Sequence, residues 1–212
     1  DLRELAQASQ RPVNAALLSV WAQSGDAHWQ RTLTRLAPAA CAQLTALSDT
    51  QVKSLLRRVD RDITARAEEL VKPDEAVVRK QAERRLLKSL KRWLGDLNDE
   101  QRDRVARWSA ERELTYAAWL DQRRLWRSHW AEVLARRHSS AFCTQAQALF
   151  AHSAQSSGGG ALFTRYDGNR AGWLMFLVQV SATLNSAQRQ HLRLELLDLA
   201  EDFESLAAKA AI

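Results

Sequence analysis

The chain has 212 residues, 46% of them hydrophobic, enough for a core in one helical domain or a compact pair of subdomains, so wholesale disorder is excluded. Only 7 Gly and 3 Pro occur, too few for the turns of an all-β fold, while Ala, Leu, Arg, Gln and Glu, the residues that lose least on entering a helix, dominate. The net charge of +6 is unevenly spread: residues 51–150 hold 22 Lys and Arg against 15 Asp and Glu, and the flanks hold 9 against 10.

In chain order, a first helix carries Leu2, Leu5 and Ala6. Pro12 reads as a first-turn proline opening a second helix with Ala15, Leu18 and Trp21. Gly25 is expected to stop it, and Asp26 to cap a third with Trp29, Leu33 and Leu36 on one face, kinked at Pro38. Ser48 caps an amphipathic helix through Val52, Leu55, Val59, Ile63 and Leu70. Asp74 caps the next, which carries Val78, Leu86, Leu90 and Trp93 and closes at Gly95. A long helical stretch, with room for an interruption, runs from Asn98 to about His138, and Ser139 or Ser140 caps a helix with Phe142, Ala146 and Phe150.

The segment 155–160, Gln-Ser-Ser-Gly-Gly-Gly, reads as a flexible loop before a C-terminal helical hairpin. The first hairpin helix is apolar nearly all round, with Gly168 and Gly172 placed for close approach by a neighbour. The second repeats Leu192, Leu196, Leu199, Phe203 and Leu206 as a seam expected to dock antiparallel onto its predecessor, and it is acidic. The longest apolar run, Trp173 to Val178, falls far short of the roughly 18 residues that span a bilayer.

One pattern recurs three times at helix starts: Leu47-Ser-Asp-Thr-Gln51, Leu97-Asn-Asp-Glu-Gln101 and Leu184-Asn-Ser-Ala-Gln188. Ser48, Asn98 and Asn185 are good N-caps, and a Gln three residues on can return the hydrogen bond as a capping box. The leucine ahead of each cap can staple onto the first apolar residue inside the helix.

The eight tryptophans supply the candidate binding residues. Trp119, Arg123, Trp126, Arg127 and Trp130 fall on one helix face, where arginines stack on indoles. They serve either as an aromatic, basic surface that grips a partner or as core indoles with outward-reaching arginines. Trp93 and Trp108, beside Arg92 and Arg107, invite the same two readings. Paired arginines at 57–58, 84–85, 123–124 and 136–137 suit phosphate contact, but the interspersed acids and the lack of a DNA-docking module make solvated helix faces the simpler account. Cys41 and Cys143 are compatible with a long-range disulfide or with two buried thiols.

The five histidines form no metal-binding spacing, and neither a nucleophile elbow nor a phosphate loop is present. The expectation is a protein that is not an enzyme, with no cofactor and no metal. Its charge asymmetry points to a positive face and an acidic partner or an internal charge match, and the aromatic, basic face suits a protein partner or unfolded client in preference to nucleic acid.

The Leu-x-x-x-Gln starts resemble those of the Spy and CpxP family of periplasmic proteins, which includes chaperones, with Ser or Asn here in place of Thr. A wider set of landmarks is similar to an uncharacterised family of proteobacterial lipoproteins. These are Leu47-Ser-x-x-Gln51, the basic helix from Arg79 to Trp93, Trp93-Leu-Gly-x-Leu-x-x-x-Gln101, Trp119-Leu-x-x-Arg123, Asn169, and Leu184-x-x-x-Gln188-Arg189 leading to Asp202-Phe203. That resemblance implies a periplasmic, helical protein tethered to the outer membrane through a lipidated cysteine, with another helix, upstream of Asp1. The architecture expected is an all-α, antiparallel bundle of eight or nine helices spanning residues 1–212 as one domain.

Overall fold

The computed structural model describes residues 2–151 and 160–210. Among these the fold is all-α, with nine helices and no strand. They are α1 (Leu2–Ala8), α2 (Ala15–Thr45), α3 (Asp49–Leu70), α4 (Glu75–Leu94), α5 (Asp99–Glu111), α6 (Tyr116–Ala135), α7 (Phe142–Ala151), α8 (Gly160–Ala182) and α9 (Ser186–Ala210). The expected loop at 155–160 lies outside the described residues, apart from Gly160, which opens α8.

Local chemistry explains several helix ends. At α3 the Gln51 amide N–H donates to Ser48 Oγ, and Ser48 N–H donates to Gln51 Oε1, closing both halves of a capping box. Asn98 and Gln101 form the same box at α5, as do Asn185 and Gln188 at α9. Each is a helix start stabilised by about 1 kcal/mol, independent of what the helix packs on. Gly95 ends α4 in the left-handed region at φ 76°, a conformation that other residues rarely adopt.

The second helix departs from the sequence reading. Pro12 precedes α2 without entering it, and Asn14 is the cap, its Oδ1 accepting from Leu17 N–H at 2.8 Å. Neither Gly25 nor Asp26 divides α2, which runs unbroken for 31 residues and includes Pro38. A glycine costs a helix interior only about 1 kcal/mol, less than the unsatisfied backbone groups of two new helix ends. The stretch from Asn98 to His138, by contrast, is interrupted at residues 112–115, between α5 and α6.

The chain divides into two compact units. The first holds residues Asp1–Ala22, Arg79–Arg112 and Gly168–Ile212; the second holds Gln23–Val78 and Glu113–Asp167. The first unit is centred on Leu90, Leu94, Leu97, Val105, Phe176, Val180 and Leu184. There Gly172 faces the Trp108 ring, 2.8 Å from where a Cβ would stand, while Gly168 meets nothing. Within this unit α9 lies alongside α1, and its Leu192 packs against the cluster that holds Phe176 and Val180 of α8. The seam is buried at Leu196 but open at Phe203 and Leu206. An Arg3–Glu204 ion pair at 2.8 Å joins α1 to α9, and it lowers the Glu204 carboxyl below its ordinary range.

The second unit is centred on Cys41, Val52, Trp130, Val133, Leu134, Phe142 and Ala146, with α6 closely flanked by α3 and α7. A disulfide joins Cys41 of α2 to Cys143 of α7, with the two Cα atoms 5.6 Å apart.

Candidate functional site

The site is built on α6, where steps of three and four residues carry Trp119, Arg123, Trp126, Arg127 and Trp130 along one side. The Arg123 guanidinium sits 4.7 Å from the Trp126 ring centre and 5.7 Å from that of Trp119, a cation held between two indoles. Arg127 turns toward α3 and donates to Asp60 Oδ2 at 2.6 Å. Trp126 meets Trp130 edge-on at 5.9 Å, and Trp130 meets Phe150 of α7 edge-on at 4.8 Å.

Burial separates these five residues. Trp130 is only 6% exposed and belongs to the core, whereas Trp119, Arg123, Trp126 and Arg127 are half-buried. The face is therefore not an open aromatic surface. Its lower end packs inside the unit, and its upper end, the Trp119–Arg123–Trp126 stack, reaches solvent.

Between α3 and α6 the packing is incomplete. A cavity of about 170 Å³ lies among Leu44, Leu55, Leu56, Val59, Trp126, Arg127, Trp130, Leu134 and Phe150. This is close to the size at which an apolar cavity accepts a benzene ring. Leu55 and Val59 also line a wider groove of about 710 Å³ with Arg58, Arg61, Asp62, Ala65 and Arg123. An apolar recess thus opens beside an arginine-rich rim. Arg58 and Arg61 are exposed and have no ion-pair partner among the described residues.

Three buried donors here, Trp126 Nε1, Trp130 Nε1 and Arg127 Nε, have no acceptor among the described residues. Enclosing such a group unpaired costs about 1–3 kcal/mol.

The helix-start residues Leu47, Gln51, Leu97, Gln101, Leu184 and Gln188 divide between the units. In the first, Gln101 and Gln188 are buried and exchange amide hydrogen bonds at 2.9 Å in both directions. Gln101 Nε2 also reaches Thr183 Oγ1 at 3.2 Å, and Gln188 Nε2 donates to the Asp96 carbonyl at 2.7 Å. Leu97 and Leu184 are buried in the same cluster. In the second unit Gln51 is exposed, and Leu47 packs on the core edge. Arg137 there donates to the carbonyls of Leu47 and Leu134 and to Asp49 Oδ1, tying the end of α6 to the start of α3. Its hydrogen bond and charge hold the Asp49 carboxyl below the ordinary range.

Sequence reasoning found the α6 residues from their spacing, but not Asp60, Arg137, or the α3 residues that complete the groove. Asp60 and Arg127 are 67 positions apart, and no local pattern signals such a pair. Trp93 lies at the edge of the first unit's core, and Trp108 there stacks with Phe176 at 5.9 Å and meets Trp173 at a tilt at 6.0 Å. Among the described residues no group of His, Cys, Asp and Glu is placed to hold a metal, and no helix is long and apolar enough to cross a membrane.

The model of a family of unknown function, DUF6279, matches residues 2–156. The chain belongs to this family. The matched region contains α3, α6 and α7, hence the whole α3–α6 groove, together with two of the three Leu-x-x-x-Gln starts. No curated protein matches the chain, and neither does any solved structure.

Proposed function

We propose that this is a periplasmic, membrane-tethered helical binding protein, not an enzyme, whose α3–α6 groove receives an apolar side chain flanked by acidic groups on a protein partner or unfolded client. The observation that carries the reading is the pairing of an apolar recess (Leu55, Val59, Trp126, Trp130) with a rim of arginines lacking carboxylate partners, Arg58 and Arg61. An apolar anchor in a pocket with charges at its edge is how a groove grips a short segment.

Compartment and tether rest on other grounds. The Cys41–Cys143 disulfide suits an oxidising compartment, and the likeness to proteobacterial lipoproteins and to the Spy and CpxP helix starts suits a tethered periplasmic protein with chaperone-like behaviour. Identifying the native N-terminus by mass spectrometry tests this part: a lipidated cysteine is expected, and a cytoplasmic, unprocessed chain contradicts it.

The burial of Trp130 favours a second reading, in which α6 is chiefly core and the protein is an envelope scaffold docking an acidic partner without client activity. An aggregation assay with a reduced, unfolded client separates the two. Suppression at stoichiometric amounts, lost in Arg58→Glu, is expected from the first reading. No suppression leaves the scaffold. A salt-dependent shift of DNA or RNA at low salt would contradict both and turn the arginines toward phosphate.

A further inference from the structure

The far end of α9 carries the chemistry that this groove lacks. Every side chain of α9 from Glu201 to Lys209 is exposed, although the stretch contains Phe203 at 58% and Leu206 at 61%, which share a face three residues apart. Glu201 and Asp202 stand beside them, and Glu204 is held by Arg3. Among the described residues Phe203 and Leu206 leave an apolar stripe uncovered, and short helices in water depend on burying such a stripe. The stripe here is apolar with acidic flanks, while the α3–α6 groove is apolar with an arginine rim.

We infer that this end of α9 binds the α3–α6 groove of a second copy of the chain. Phe203 enters the recess beside Leu55, Val59 and Trp126, and Glu201 and Asp202 meet Arg58 and Arg61. The inference rests on the reading that the groove takes an apolar group flanked by negative charge, and it names one. Helix-in-groove docking of this kind reads apolar anchors at three- and four-residue steps, the spacing of Leu199, Phe203 and Leu206. Because donor helix and acceptor groove are different surfaces, the contact is heterologous. Copies then add head to tail into a chain or a closed ring and do not stop at a symmetric pair. The exposed charges make the association weaken with salt.

Sedimentation of the full chain across a concentration series tests this. The expected result is a mass that rises from 24.0 kDa past that of a dimer at low salt and falls back at high salt. Phe203→Asp removes the donor and Arg58→Glu weakens the acceptor; each should reduce association by about tenfold or more. Both positions are exposed, so unchanged thermal melts are expected of each variant. Mixing the two is decisive: Phe203→Asp keeps an intact groove and Arg58→Glu an intact α9, so together they should form a one-to-one pair and nothing larger. A wild-type chain that stays at 24.0 kDa throughout overturns the inference, as does Phe203→Asp associating like wild type or a mixture that does not pair. A synthetic peptide with a phenylalanine between acidic residues, unrelated to α9, keeps the two proposals apart. If it binds the groove while the chain sediments as a monomer, this inference falls and the proposed function stands; if neither binds, both fall.

Discussion

The two units begin helices with the same five-residue pattern and then use it differently. In the first, the capping boxes of Asn98–Gln101 and Asn185–Gln188 meet, and each glutamine satisfies the other's amide inside the core. In the second, the box of Ser48–Gln51 stands at the surface, and Arg137 does the joining. Among the described residues the first joins its buried glutamines to each other and leaves one buried N–H, Arg104 Nε, unpaired, while the second leaves three beside a cavity. A satisfied core specifies one arrangement, whereas an underpacked one keeps room for a guest. The contrast sets the Gln101–Gln188 lock in the first unit against the underpacked α3–α6 groove, the proposed binding site, in the second.

The largest effect expected is in the second unit. Cys41 and Cys143 are 102 residues apart, so their bond removes much freedom from the unfolded chain. By loop-closure entropy the double change Cys41→Ala, Cys143→Ala should cost about 4–5 kcal/mol in urea unfolding. A loss under about 1 kcal/mol would mean that the aromatic packing of Trp130 and Phe150 alone holds α7 to α6.

Next is the lock itself. Gln188→Ala takes from the Gln101 amide its partner across the core, leaving it Thr183, and takes from the Asp96 carbonyl its side-chain donor, at an expected cost of about 2–3 kcal/mol. Changing both glutamines to methionine should cost less than the sum of the two single changes, because the buried polar partners disappear together. Strict additivity would show that the two glutamines act independently.

Much of this layout is legible in the sequence. Capping is local, so Ser48, Asn98 and Asn185 announce their helices within four residues. The α6 face follows from periodicity alone. What is not legible depends on the third dimension. The Gln101–Gln188 pair joins positions 87 apart, and nothing near either glutamine distinguishes it from the exposed Gln51. Gly25 misleads because its backbone freedom is only an option: a Cβ there would meet nothing within 4 Å, and the helix continues. The seam of α9 misleads in the opposite way, since Phe203 and Leu206 keep the spacing of a buried stripe while remaining open.

The smallest effect separates the two kinds of helix start by pH. Arg137 lowers the Asp49 carboxyl below its ordinary 3.8 through a hydrogen bond and charge. A depressed folded value means that the stabilisation is complete above the unfolded value and lost as pH falls through the folded one, hence below about pH 3.8. Asp49→Asn should flatten that part of the acid-unfolding curve slightly, and Gln51→Ala should leave its shape unchanged. An Asp49→Asn curve superimposable on wild type would show that Arg137 works through the Leu47 and Leu134 carbonyls alone.

The most direct test of the division of labour reads the indole N–H signals of the tryptophans by NMR while a peptide with an apolar residue between acidic ones is added. The account predicts that Trp126 and Trp130, beside the groove, shift progressively and saturate. Trp108 and Trp173, packed against each other on the first unit's core, should stay in place. Shifts at Trp108 and Trp173 with none at Trp126 and Trp130 would contradict it.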